Sequence, residues 1–136
     1  MKSLSTHIIL ILSISLFCLL INTYSHEFLA YSNAQILKGE VWRLVTAHLT
    51  HTNHYHFLFN ALGMIVVIKL FIATFKKQSL MLAFLFCSVQ ISLSLFLLNP
   101  SIEWYMGLSG VLHSFFAIGV CDELKQRSKW GVILGV

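Results

Sequence analysis

A serine framed by glycines is the residue of this chain best placed to do chemistry. Gly107, Leu108, Ser109 and Gly110 lie where a polar loop containing Asn99, Pro100, Ser101 and Glu103 gives way to an apolar helix. Glycine permits backbone angles and close approaches that other residues resist. The first turn of a helix offers unpaired N–H groups and the positive end of its dipole, so negative charge developing on a serine there can be stabilised. An N-cap serine in a glycine turn accounts for the same four residues. A second pair stands at His56 and Asn60. The i, i+4 spacing puts both side chains on one helix face, at the start of an apolar run. Buried polar groups in hydrocarbon are costly unless they face protein or water; a hydrogen bond between helices is the alternative use. Acyl transfer needs a nucleophile and donors aimed at the oxyanion that forms on attack. Ser109 offers the hydroxyl, and His56, Asn60 and the Ser109 N–H offer the donors. The pattern is not the nucleophile elbow of soluble hydrolases, because G-x-S-x-G requires glycine where the chain has Val111.

The elements that must position these groups are read from hydropathy. Hydrophobic residues make up 57% of the 136 and charged residues only 10%, whereas a soluble domain carries about a quarter charged. This is the composition of a membrane protein. Crossing a bilayer core takes roughly 20 residues of helix, and three apolar runs approach that length: Ile8 to Tyr24, Phe57 to Phe75 and Leu80 to Leu98. A fourth, Gly107 to Cys121, is shorter, and a fifth begins at Trp130 and stops at Val136. The expected fold is an all-α transmembrane bundle over residues 1–136, a single domain of about four complete helices plus the start of a fifth. About seven residues cannot span a bilayer, so the sequence is expected to be incomplete at its C-terminus. The first run is long for a signal-peptide core and no small-x-small cleavage site follows it. Phe17 before Cys18 also disfavours a lipoprotein anchor. Cys18, Cys87 and Cys121 lie in or at the ends of apolar helices, which argues for packing rather than disulfides or metal.

Charge sets the expected orientation, since Lys and Arg collect on the cytoplasmic side. With the N-terminus inside, Lys2, Lys69, Lys76, Lys77, Lys125, Arg127 and Lys129 lie inside and only Lys38 and Arg43 outside. The loops from Ser25 to Tyr55 and from Asn99 to Met106 then both face outward and both lead into the helices carrying the unusual polar residues. The net charge of +4 follows from this topology and implies no nucleic acid, because the basic residues form no single stripe. The first outer loop is too apolar for a solvated linker, with Tyr31, Ile36, Leu37, Val41, Trp42, Leu44, Val45 and Leu49, and is expected to be partly embedded. Arg43 beside Trp42 is suited to pinning it by donating to several carbonyls; a lipid headgroup is the other candidate partner. Four of the seven histidines fall at His48, His51, His54 and His56. A metal site is one reading of such a cluster, but no Asp, Glu or Cys lies nearby to complete it. No metal and no cofactor is expected.

Three motifs in order resemble the rhomboid intramembrane serine proteases: Glu40, Val41, Trp42 and Arg43 in the first loop, His56 to Asn60 opening the second helix, and Gly107 to Gly110 opening the fourth. The continuation Val111, Leu112, His113 looks like the rhombosortase branch, thought to process bacterial proteins with a C-terminal glycine-rich sorting tail. The resemblance implies Ser109 as nucleophile and His56 and Asn60 lining the oxyanion hole, with His51 ordering the loop and Trp42 and Arg43 as the first-loop signature. It implies an inner-membrane enzyme with an outward-facing site, acting on transmembrane or C-terminal anchor segments of membrane proteins. The family's general base is a histidine on a sixth helix, which this chain is expected to lack. His113, at i+4 from Ser109, can reach back toward it but is poorly placed to relay a proton to a leaving group. Two other functions fit part of the pattern: a catalytically dead rhomboid relative that binds membrane helices, and a small His-rich metal-handling protein.

Overall fold

Asn53 starts the helix that carries His56. Its side chain accepts from the His56 N–H at 2.9 Å, an N-cap that fixes the helix origin and places His56 in the first turn. The computed structural model describes residues 2–77 and 79–134, and the side chains of residues 4–21, 26–75 and 79–127. In chain order the helices are α1 (Lys2–Leu20), α2 (Asn22–Leu29), α3 (Asn33–Leu37), α4 (Arg43–Thr46), α5 (His54–Leu70), α6 (Ile72–Lys77), α7 (Leu80–Leu98) and α8 (Ser109–Leu134). A 3-10 turn, Ala47–Leu49, extends α4. The expected all-α fold acquires one small sheet: β1 (Tyr31–Ser32) pairs antiparallel with β2 (Trp104–Tyr105), Tyr31 opposite Tyr105 and Ser32 opposite Trp104. This ladder joins the two loops expected to face outward.

The helix α8 packs against α5 and α7, and α1 packs against α5 and α7. The core between them is built from Ile11, Met64, Ile68, Phe75, Leu80, Phe84, Cys87, Leu108, Val111, Leu112 and Phe115. The outward faces stay apolar as well. Leu82, Phe86 and Leu98 on α7 are each about two-thirds exposed or more. A helix apolar on all sides belongs in a core or a membrane, and α7 gives only one face, with Leu80, Phe84 and Cys87, to the core while the rest of it stays exposed. Among the described residues α7 alone is long and apolar enough to cross a bilayer by a strict length test, with shorter apolar helices at Leu4–Leu20 and His54–Leu70.

Several expected boundaries move. The span Leu80 to Leu98 is α7 itself, begun by Ser79, whose hydroxyl accepts from the Leu82 N–H at 3.4 Å. The first run is not one helix from Ile8 to Tyr24: α1 starts at Lys2 and ends at Leu20, and the chain turns at Ile21 into α2. The turn falls where apolar sequence meets Asn22 and Thr23, both weak helix formers. The run Phe57 to Phe75 is divided at Phe71, which leaves helical geometry with φ −112°. The Phe71 ring lies so close to the backbone of Gly119 that any Cβ there would overlap it. The expected fifth segment is corrected too, because no break separates Cys121 from Trp130: α8 runs on through Leu134. Asp122 to Lys129 holds neither Gly nor Pro, and Gln126 donates to the Asp122 carboxylate at 2.8 Å across one turn. Thr74 of α6 donates to the same carboxylate at 2.7 Å. The side chains of Lys2, Lys76, Lys77, Lys129 and Trp130, and all of Gly135 and Val136, lie outside the described residues.

Two glycines adopt the left-handed region. Gly39 (φ +101°) closes the turn after α3, its N–H donating to Ile36 O at 2.9 Å, with open space where a Cβ would stand. Gly107 (φ +120°) sits in the loop before α8 and is crowded.

Candidate active site

The crowding at Gly107 brings the sequence motifs together. A Cβ on Gly107 would stand 2.6 Å from His56 Cε1, 2.8 Å from His56 Nε2 and 3.7 Å from Asn60 Nδ2. Only bare backbone fits there, so the loop leading into Ser109 lies directly on the His56–Asn60 face of α5. The Gly107 N–H donates to Ala47 O at 2.9 Å, fastening this loop to the 3-10 turn of the first loop. Ser109 is the first residue of α8 and is partly exposed. Among the described residues, its hydroxyl has no hydrogen-bond partner.

Asn60 is buried, at 6% exposure, and its Nδ2 donor has no partner. Native proteins pair nearly all such groups, and an orphan is costly unless a ligand or reacting species uses it. The His56 ring is held from its other side. Thr52 Oγ1 lies 3.1 Å from His56 Nδ1 and accepts from Asn53 Nδ2 at 3.3 Å. This network is satisfied with the ring proton on Nε2, the nitrogen nearest Gly107. Two N–H donors, one on imidazole and one on carboxamide, thus border the same strand of backbone.

The remaining histidines disperse. His51 is buried beneath His56, ring centroids 5.1 Å apart and edge to face, and packs edge-on to Phe57 at 5.4 Å. Burial, reinforced by the neighbouring His56, pushes its pKa down to about 4. Its carbonyl oxygen accepts from His26 Nε2 at 3.0 Å. His48 points the other way, into α7, with Nε2 3.1 Å from both Ser88 O and Ser92 Oγ, and burial holds it at about 4 as well. His54 is exposed. Among the described residues no three His, Cys, Asp or Glu side chains are grouped to hold a metal. His113 Nδ1 donates to the Ser109 carbonyl oxygen at 2.7 Å, not to its hydroxyl.

Trp42 and Arg43 lie away from this centre. The buried Arg43 guanidinium donates through Nε to Glu40 Oε2 at 2.6 Å, through Nη1 to Ala30 O at 2.7 Å and through Nη2 to Glu27 O at 2.8 Å. Trp42 Nε1 donates to Phe28 O at 3.1 Å. Both side chains tie α4 to the end of α2. Gly110 packs against the Tyr105 hydroxyl and Ile91 rather than α5. The residues that sequence reasoning missed are Asn53, Thr52 and Tyr105. Asn53 was detectable as an N-cap type three positions before His56, but the other two are fixed only by tertiary contacts.

A serine at the head of a helix, backed by two convergent N–H donors and a stretch of bare backbone, defines a candidate serine acyl-transfer site in a helical, apolar-surfaced protein. The Rhomboid domain family matches residues 38–136, and the chain belongs to it. Its members are membrane-integral and in general serine intramembrane proteases. The match takes in the first-loop, α5 and α8 motifs and leaves α1, α2, β1 and α3 outside. Among curated proteins no match to the chain is found.

Proposed function

We propose that this protein is an intramembrane serine endopeptidase of the bacterial inner membrane, with Ser109 as nucleophile and an oxyanion hole made by His56, Asn60 and the Ser109 N–H. The observation that carries the reading is the unpartnered, buried Asn60 amide beside Gly107 and the His56 ring. In an apo site that amide has nothing to bond. When Ser109 Oγ attacks a peptide carbonyl, the carbonyl oxygen gains charge and takes up the idle donors, and bonds made only at that stage lower the barrier. The family resemblance assigns proton removal from the nucleophile to a histidine on a sixth helix. His113 is poorly placed to supply it, because its Nδ1 is turned to the Ser109 carbonyl rather than the hydroxyl and its ring lies along the same helix. The chain crosses the membrane several times with its N-terminus in the cytoplasm and the site facing outward. The substrate is a transmembrane or C-terminal anchor segment, and the Val111–Leu112–His113 continuation favours the rhombosortase branch. His51 orders the loop beneath His56, and Trp42 and Arg43 hold the first loop.

The test is labelling of the detergent-solubilised protein by a fluorophosphonate, with Ser109→Ala as control, in the 136-residue chain and in a version carried through a sixth helix. Labelling that requires Ser109 in either is the expected result. His56→Ala and Asn60→Ala each slow it by about tenfold to a thousandfold, the effect of losing one oxyanion donor. Labelling that persists in Ser109→Ala, or is absent from both versions, removes the protease reading.

A further inference from the structure

The Tyr105 hydroxyl occupies a position that neither the nucleophile nor the oxyanion donors explain. It donates to the Gly107 carbonyl at 2.9 Å and accepts from the Gly110 N–H at 3.3 Å. One oxygen therefore bridges the backbone on both sides of Leu108 and Ser109, and it uses an N–H of the first α8 turn that would otherwise be free. The ring beneath is braced in turn. His48 packs against it with centroids 5.4 Å apart. His48 is itself fully buried and tethered to α7 through Nε2. The Ser92 hydroxyl donates its proton to Leu44 O at 2.9 Å, so towards His48 it can only accept. His48 therefore carries its proton on Nε2, shared between Ser88 O and Ser92 Oγ. A Cβ on Gly110 would stand 3.0 Å from the Tyr105 oxygen, so the brace leaves little slack.

We infer that Tyr105, backed by His48, is a positioning residue: its hydroxyl clamps Gly107 to Gly110 and so fixes Ser109 relative to His56 and Asn60. The inference rests on the protease reading for its catalytic consequence, but the clamp itself is a property of the backbone. Reacting groups must be held to within a fraction of an ångström, and a misplacement of about 1 Å costs on the order of a hundredfold in rate. Tyr105→Phe removes the bridging oxygen and keeps the ring, so it leaves the packing against His48 intact.

The experiment measures fluorophosphonate inactivation of Ser109 in Tyr105→Phe, separating the maximal rate from the concentration for half-maximal rate, alongside the melting temperature and hydrogen exchange at the Gly110 amide. Expected is a maximal rate lower by about tenfold to a hundredfold, with half-saturation and melting temperature unchanged and faster Gly110 exchange. His48→Leu should lower the rate similarly, and adding Tyr105→Phe to it should cost little more, since the two act as one unit. If His48→Leu does not fold, Ser92→Ala, which removes one of the two His48 acceptors, takes its place. A maximal rate equal to wild type in Tyr105→Phe overturns the inference while Ser109-dependent labelling leaves the protease reading standing. Where wild type shows no Ser109-dependent labelling, the protease reading fails on its own, and unchanged Gly110 exchange in Tyr105→Phe then overturns the clamp.

Discussion

His48 and His51 are neutral side chains in a buried setting, and that has a measurable cost in acid. An imidazole in water titrates at its ordinary value near 6.5, while burial holds both of these at about 4. Between those values the unfolded chain binds protons that the folded chain refuses. Stability conferred by the neutral rings is complete above about pH 6.5 and is lost as pH falls toward 4. Thermal unfolding in detergent at pH 7.5 and 4.5 should give a lower melting temperature at the acid value, and His51→Gln should narrow the difference. Equal melting temperatures would mean that the rings are hydrated in the folded protein. The sequence made the His56–Asn60 pair legible because i, i+4 spacing on a helix is a local relation. The partners of His48 were not legible, since Ser88 and Ser92 lie about forty residues away and only the packing of α4 on α7 brings them close.

At the scale of elements, the first loop is a folded unit and not a tether. Arg43 reaches the carbonyls of Glu27 and Ala30 and the carboxylate of Glu40, so one guanidinium joins α2, the entry to β1 and α4. Truncation strands the buried Ala30 carbonyl, at about 1–3 kcal/mol, whereas the Glu27 carbonyl and the Glu40 carboxylate, on more exposed residues, can turn to water. Arg43→Ala should therefore lower the melting temperature markedly, and Arg43→Lys should recover only part, because an ammonium cannot reproduce the planar fork. A normal melting temperature in Arg43→Ala would end the pinning role. The α7 boundaries were readable from an unbroken apolar run between Ser79 and Asn99. The length of α8 was not, because a hydropathy criterion follows apolar character and α8 continues as helix through polar residues such as Asp122, Lys125 and Gln126. The β1–β2 pair was equally hidden: two residues per strand give no periodicity to detect.

For the whole molecule, the proposed orientation in the membrane makes a prediction. An outward site requires the first loop and the polar end of α8 to lie on opposite sides of the bilayer. Val41 and Arg127 are both exposed and belong to those two regions. With the native cysteines replaced, Val41→Cys should react with a membrane-impermeant maleimide on intact spheroplasts, and Arg127→Cys only after the inner face is opened. Reaction of both from one side would refute the proposed topology. At about 1.5 Å per residue, the 26 residues of α8 extend about 39 Å, more than the roughly 30 Å hydrocarbon core. The helix that begins at the candidate nucleophile has length enough to end beyond the opposite face.

Gly39 and Gly107 share a backbone conformation and differ in what surrounds them, and this gives them opposite standing in sequence space. Gly39 has open space at its missing side chain; Asn and Asp, which enter the left-handed region at small cost, should be accepted there. A Cβ at Gly107 would stand closer to the His56 ring than van der Waals distance, so conformational strain and overlap act together against every alternative. A saturation library selected for function should recover several residues at position 39 and glycine alone at position 107. The loop ahead of Ser109 is then an evolutionary dead end for drift, able to change only if α5 changes with it.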